Sequence, residues 1–342
     1  MRFSKNTLGL AFAAVATLGF TTQAVARDTI QIAGSSTVLP FASIVAEEFG
    51  NTFSQFKTPV VGSGGTGGGL KQFSQGVGFN TIDIANASRP IKPAEVEAAV
   101  KAGVKKIQEV KFGYDGIVFA SRAKGPEFKL TDAQIYQAYA AQVPVGGKLV
   151  ANPYTKWSQI DKSLPNQNIL LVVPASNHGT REVFDERVIH AGSEKFPEVK
   201  ALDKDALKKA LAPRADSRVV EISGDYTETL ARLQAQSNAV GVFGLSFYDQ
   251  NRDKLRVAPI NGVVPSQESI VSGKYPVSRP LYFYVKGDHI GVVPGIKEYV
   301  EFFLNARISG PRGPLDEAGL IPLTKEERAK VVADFRAGKT VN

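Results

Sequence analysis

Ala33-Gly34-Ser35-Ser36-Thr37-Val38-Leu39-Pro40-Phe41 lies where one hydrophobic period ends and another begins. Upstream, Ile30-Gln31-Ile32 alternates apolar and polar, the pattern of a short β-strand. Downstream, Phe41, Ile44, Val45 and Phe49 recur at helical spacing. Gly34 to Thr37 therefore occupy a strand-to-helix turn. The first N–H groups of a helix lack intrahelical partners, and the helix dipole adds partial positive charge there. Small hydroxyl residues at such a point either cap the helix or offer donors to a bound anion. Both readings are open at this stage.

The same junction recurs. Pro59-Val60-Val61 reads as a strand, Gly62 to Gly69 as a glycine-rich loop, and Leu70-Lys71-Gln72-Phe73 as a helix start. No Gly-Lys-Ser/Thr closes that loop, so it is not a nucleotide P-loop. No acidic residue follows at the distance a dinucleotide fold requires. Ile82 to Ala85 is a third strand, running into Asn86-Ala87-Ser88-Arg89-Pro90 and a helix opened by Pro93-Ala94-Glu95. Two further strands are expected at 106–110 and 112–120. Ile169 to Val173 is a continuous apolar run, as in a buried parallel strand. It delivers Pro174-Ala175-Ser176-Asn177-His178-Gly179-Thr180-Arg181 and a helix bearing Val183, Phe184, Val188 and Ile189. Later strands are expected at 219–222, 239–244, 255–260 and 281–285. Helices are expected at 226–236 (with Asp225 as a cap), at 296–305 and from Lys325. Strands alternating with helices predict an α/β fold with a mainly parallel sheet.

The chain has 342 residues, enough for two domains, with 43% apolar and 22% charged residues, as in ordinary globular proteins. It contains no cysteine, which excludes disulfides, thiolate metal sites and cysteine nucleophiles. Its three histidines are too scattered for a zinc site. Residues 1–26 read as a signal peptide: Arg2 and Lys5 precede an apolar run from Leu8 to Phe20, and Ala24-Val25-Ala26 forms a small-x-small cleavage site. The mature chain is expected to begin after Ala26. Its net charge falls from +8 to +6 on losing Arg2 and Lys5. A basic exported protein suits an anionic ligand or surface. Nucleic acid is not expected, because Lys and Arg form no stripe or basic helix.

Ser176, His178 and Asp185 are the enzyme reading to weigh, as a hydrolase triad. They lie within ten residues of one another, whereas triads are assembled from distant segments, and no Gly-x-Ser-x-Gly elbow is present. What remains is several turns at the carboxyl ends of strands, rich in Ser, Thr and Gly, with Arg89 and Arg181 beside two of them. Ligands of open α/β sheets bind outside those strand ends. Hydroxyls, backbone N–H groups and guanidinium forks are what a tetrahedral oxyanion requires.

In this order, several segments resemble the periplasmic phosphate-binding proteins of the high-affinity phosphate ABC transporter. They are Ala33 to Pro40, the Gly62–Gly69 loop, Asp83 to Pro90, Tyr114-Asp115-Gly116, His178-Gly179-Thr180 followed by Phe184, Gly241-Val242-Phe243-Gly244, Tyr275 to Pro280 and Gly319-Leu320-Ile321-Pro322-Leu323. The resemblance covers essentially the whole mature chain. It implies a two-lobed type II periplasmic binding protein, each lobe a mixed, mainly parallel sheet flanked by helices. Lobe one would be 27–114 plus 262–342 and lobe two 115–261, with crossings near Tyr114–Ile117 and Val257–Gly262. It further implies a phosphate cradle at Ser36, Thr37, Val38, Ser63, Ser88, Arg89, Gly179 and Thr180. Two departures stand out: Pro174 occupies a position where many relatives carry Arg, and His178 one where they carry Ser. Many also carry an Asp where Arg89 stands, which accepts the phosphate proton. Asp115 is the expected substitute acceptor, with Arg89 or Arg181 as the replacement charge; the alternatives are a hinge-strand role for Asp115 and a solvated helix position for Arg181.

The expectation is thus a monomeric periplasmic protein that binds inorganic phosphate by hinge closure and hands it to the permease of an ABC importer. It would need no cofactor, metal or catalytic residue. A second oxyanion, a phosphorylated small molecule or an exported phosphatase-like hydrolase are the alternatives.

Overall fold

The computed structural model describes residues 27–176, 180–223 and 226–341. The chain begins with β1 (Gln31–Gly34), α1 (Leu39–Thr52), β2 (Val60–Ser63), α2 (Gly65–Phe73), β3 (Ile84–Ala87), α3 (Pro93–Lys101) and the long β4 (Ile107–Arg122). The middle follows with α4 (Asp132–Tyr139), a hairpin of β5 (Gln142–Val145) and β6 (Lys148–Ala151), α5 (Trp157–Ile160), β7 (Leu171–Pro174) and α6 (Arg181–Phe184). A π-helical segment, Asp185–His190, continues α6. Then come β8 (Val219–Ile222), β9 (Val240–Gly244), β10 (Leu255–Ala258), β11 (Ser278–Lys286) and β12 (Ile321–Pro322).

One mixed sheet runs in the order β2-β1-β3-β11-β4-β9-β7-β8, with β10 and β12 also on β4. Its outer strands are parallel: β1 with β2 and β3, and β7 with β8 and β9. The centre is antiparallel, where β11 joins β3 to β4. The α/β class is as expected, and the reversal at the centre is what makes two lobes of one sheet. β4 belongs to both: residues 107–116 pair with β11, and residues 117–122 pair with β9 and β10.

Two strands were expected where β4 is continuous. The break in pattern is a β-bulge: Leu281 faces Gly113 and Tyr282 faces Lys111, leaving Phe112 without a cross-strand partner. The glycine-rich stretch also differs from expectation, being helical from Gly65 onward. Its glycines serve close packing. A Cβ on Gly69 would lie 2.4 Å from Gly34 Cα, so α2 rests directly on the backbone of β1. Pro144 to Pro153, whose prolines and glycines read as a loop, instead contains most of the β5–β6 hairpin. The expected cap Asp225 lies outside the described residues.

Each side of the sheet has its own core. Around β1, α1 and β11, the helix Ile296–Phe303 stacks Tyr299 and Phe303 against Phe49, Phe112 and Phe283. Around β7 and β9, Phe119, Tyr139, Phe184 and Phe243 are fully buried or nearly so. Leu171, Val172 and Val173 are covered on both faces, which explains their unbroken apolar run.

Candidate functional site

The turn from β1 to α1 is set by Gly34. Its φ of +144° is open to glycine, and a Cβ there would sit 2.2 Å from the Asn86 carbonyl oxygen. Ser35 N–H donates to that same oxygen at 2.9 Å. α1 then starts with Val38 at its N-cap and no side-chain cap. Elsewhere Thr131, Ser266 and Thr324 do cap helices with their hydroxyls. Ser36 and Thr37 are therefore not spent on the helix. Thr37 Oγ1 donates to Glu182 Oε2 at 2.8 Å, and Ser36 Oγ approaches the same oxygen at 3.4 Å. Arg279 Nη2 donates to Thr37 Oγ1 at 2.8 Å.

Arg279 is 2% exposed and stands directly opposite Asp115 in the β11–β4 ladder. Its Nη1 donates to Glu186 Oε2 at 2.9 Å, and Nη2 lies 3.4 Å from Glu182 Oε2. Burying a guanidinium costs several kcal/mol unless it is paired. Here the pairing carboxylates come from α6 and the π-helical segment, across the sheet's midline from β1. Asp115 is 5% exposed, and its Oδ2 has no hydrogen-bond partner among the described residues. Burial pushes its pKa up to about 6; Arg279 opposes that shift and Glu182 adds to it. The carboxyl group lines a cleft of about 660 Å³ together with Ser36, Thr37, Thr180, Ser223 and Tyr226. Tyr226 Oη donates to Thr180 Oγ1 at 3.3 Å, and burial raises the phenol's pKa, with Asp115 adding to the rise.

Of the residues expected from sequence, the cleft gathers Ser36, Thr37, Asp115 and Thr180. Val38 is buried at the helix start. Ser63 is exposed at the end of β2, beside Gly34 in register. Ser88 is buried against Thr66, with 3.1 Å between their hydroxyls and a second bond from Ser88 N–H to Thr66 Oγ1. Arg89 forks onto both oxygens of Glu95 at 2.8 Å and also donates to Pro90 O. Arg181 holds Asp185, Glu221, the Pro174 carbonyl and Tyr139 Oη. Both arginines are thus satisfied within their own neighbourhoods, and neither lines the cleft. His178 and Gly179 lie outside the described residues. Of the triad residues weighed, Ser176 is exposed and Asp185 is bonded to Arg181.

The sequence reading missed Arg279 as a site residue, although it quoted the segment containing it. A lone Arg between Ser278 and Pro280 gives no sign of burial; only the pairing of β11 with β4 places it against Asp115. Glu182 and Glu186 were also missed. Their spacing of four puts them on one helical face, but that face acquires meaning only when α6 meets Arg279. Tyr226 shows no signal beyond opening a helix.

Among the described residues no helix is long and apolar enough to cross a membrane. The family model for the PBP superfamily domain matches residues 21–307. Protein SphX of Synechococcus elongatus is 30% identical over 320 residues, covering 92% of this chain and 83% of its own. The phosphate-binding protein PstS of Staphylococcus epidermidis is 29% identical over 277 residues, covering 79% and 73%. A crystal structure of a possible phosphate binding protein from Planctomyces limnophilus superposes with a TM-score of 0.73 at 26% identity, over 92% of this chain and 99% of that one. PstS of Borrelia burgdorferi shares the fold at 17% identity, with a TM-score of 0.60 over 87% of this chain and 100% of its own. The two-lobed mixed sheet, the cleft at its centre and a family match over most of the chain agree, and the protein belongs to the PBP superfamily.

Proposed function

We propose that this protein captures inorganic phosphate in the cleft between its lobes and delivers it to the permease of an ABC importer. The observation that carries this reading is the meeting of Thr37, Arg279 and Asp115 at one point. A hydroxyl and a buried guanidinium supply donors for phosphate oxygens, and a buried carboxylate whose Oδ2 has no hydrogen-bond partner among the described residues supplies an acceptor for the phosphate proton. The PstS relative, a phosphate-binding protein by name, supports the same ligand. Sulfate at neutral pH carries no proton to donate, so Asp115 favours phosphate over it.

Lobe one holds residues 27–114 and the chain's C-terminal part; lobe two holds the middle. The first crossing lies within β4 near Tyr114–Ile117. The return crossing lies near Val257–Gly262; the pairing of β11 with the lobe-one strand β3 supports a return of the chain before that strand. Ser36, Thr37 and Val38 open the cradle, and Thr180 closes it from lobe two. Ser63 and Ser88 border it at α2 and β3. Arg279, in place of Arg89 or Arg181, carries the charge. The protein works as an exported monomer, cleaved after Ala26, with no bond broken in the ligand.

Calorimetry on protein stripped of bound anion tests this, with phosphate, sulfate, arsenate and molybdate as titrants. Phosphate is expected to bind and sulfate to bind far more weakly; absence of both heat and thermal shift with phosphate would overturn the reading. Turnover of a chromogenic phosphate ester that vanishes in His178→Ala would favour a hydrolase instead.

A further inference from the structure

We propose that Glu182 sets the protein's affinity by acting as an internal occupant of the anion cradle, a carboxylate that latches the lobes when no anion is bound and that an incoming oxyanion must displace. The inference rests on the cradle assignment above. Glu182 Oε2 meets Thr37 Oγ1 at 2.8 Å, Ser36 Oγ at 3.4 Å and Arg279 Nη2 at 3.4 Å. Two hydroxyls and a guanidinium around one charged oxygen are the donors an oxyanion would use. A carboxylate, planar and singly charged, is the nearest imitation of that ligand a side chain can provide.

This contact differs from the molecule's ordinary ion pairs. Arg89–Glu95 and Arg181–Asp185 join residues six and four apart and leave each lobe to itself. Glu182 instead reaches residues 145 and 146 positions away, from the β7–α6 junction to the β1–α1 junction. Its partner Arg279 is 2% exposed, so the charge pair is not one that water readily dissolves. Glu186 holds the other arm of the same guanidinium at 2.9 Å. Arg279 therefore keeps a carboxylate when Glu182 leaves, and its Nη2 turns to the incoming anion.

Simultaneous occupancy is disfavoured by like charge. A phosphate dianion seated on Thr37 and Arg279 would meet the Glu182 carboxylate at hydrogen-bond distance. The carboxylate must swing out. Its side chain is 32% exposed, so it has solvent to swing into. The latched fraction of molecules lowers the apparent affinity in proportion. The same pull adds to the Arg279–Glu186 ion pair in keeping the anion-free lobes together.

The test uses the full mature chain, whose lack of cysteine allows labelling at chosen sites. Spin labels at Lys101→Cys and Lys209→Cys, both exposed and on opposite lobes, report the inter-lobe distance in anion-free buffer. Calorimetry with inorganic phosphate reports affinity. In Glu182→Ala the anion-free distance is expected to lengthen and broaden, and phosphate to bind about tenfold more tightly. Glu182→Gln keeps the shape, loses the charge and is expected to move both readouts the same way by less. An unchanged anion-free distance, or weaker phosphate binding in Glu182→Ala, overturns the latch. If neither wild type nor variant takes phosphate, the ligand assignment fails, and the distance measurement alone decides the latch.

Discussion

Arg279 and Asp115 face each other across two antiparallel strands, and their chemistry divides between them. Arg279 spans Thr37 and Glu186 with two nitrogens of one planar fork. Lysine has a single point charge and cannot hold both, so Arg279→Lys is expected to weaken phosphate binding at least about tenfold while the protein still folds. Calorimetry beside a circular-dichroism melt separates the two effects. Asp115 has its pKa raised from 3.8 to about 6 by burial. The folded state therefore binds the proton more tightly than the unfolded chain. Stability falls as pH rises from about 4 to about 6, and the full cost is in place above that. Asp115→Asn is expected to stabilise the anion-free protein at pH 7.5 by about 3 kcal/mol and to leave it nearly unchanged near pH 3.5. Denaturant melts at the two pH values check this. The same variant should bind phosphate less well and spare or improve sulfate; equal loss of both would remove the acceptor role. In the wild type, sulfate should compete better at pH 5, where Asp115 carries a proton it can donate, than at pH 7.5.

The glycine-rich α2 illustrates how one element mixes two uses of a residue. Gly69 packs onto β1, where an added Cβ would meet backbone at 2.4 Å and 2.8 Å. Gly67 meets nothing within 4 Å. Alanine favours a helix by about 1 kcal/mol over glycine, whereas overpacking against backbone costs about 3 kcal/mol. Gly67→Ala is thus expected to stabilise by up to about 1 kcal/mol, and Gly69→Ala to destabilise by about 2 kcal/mol. Chemical denaturation of the pair decides it, since equal effects would mean that α2 does not rest on β1. The sequence shows the run of glycines but not which of them touches another strand, because that depends on where β1 lies. Hydroxyls have the same ambiguity. Thr131 and Thr324 cap their helices and Thr37 does not, although all three precede helical patterns.

For the whole molecule, the continuous β4 with its partner β11 is the feature that joins the two halves of the sheet. Tyr275 Oη donates to Ile117 O at 2.9 Å, and Ile117 N–H donates to Val277 O at 3.2 Å, tying the segment before β11 to β4. Phosphate is expected to narrow the inter-lobe distance distribution, as read by small-angle scattering or spin labels. A distribution indifferent to saturating phosphate would mean that closure does not accompany binding. Arg27 is engaged with the carbonyls of Phe79 and Thr81 and with Asp83. If cleavage follows Ala26, the secreted chain begins at a residue already built into lobe one. Mass spectrometry of exported protein should find Arg27 first.

By itself the sequence determined the alternation of strand and helix and the small-residue turns at strand ends, and it predicts an export signal. Each of these is written in local period and composition, so neighbouring residues suffice to specify it. It also named Ser36, Thr37, Asp115 and Thr180, which the fold brings to one cleft; the resemblance of their segments to a known family, and not local period, singled them out. Which arginine supplies the charge was left to tertiary structure. Arg89 and Arg181 stand beside the right turns, yet each finds a carboxylate a few residues away that satisfies it first. Arg279 comes from a strand more than 150 residues beyond Asp115, and only the antiparallel pairing of β11 with β4 buries it there. The carboxylate of Glu182 in the cradle is of the same kind. It depends on two lobes meeting, and no local pattern in the chain encodes a contact between segments that fold apart.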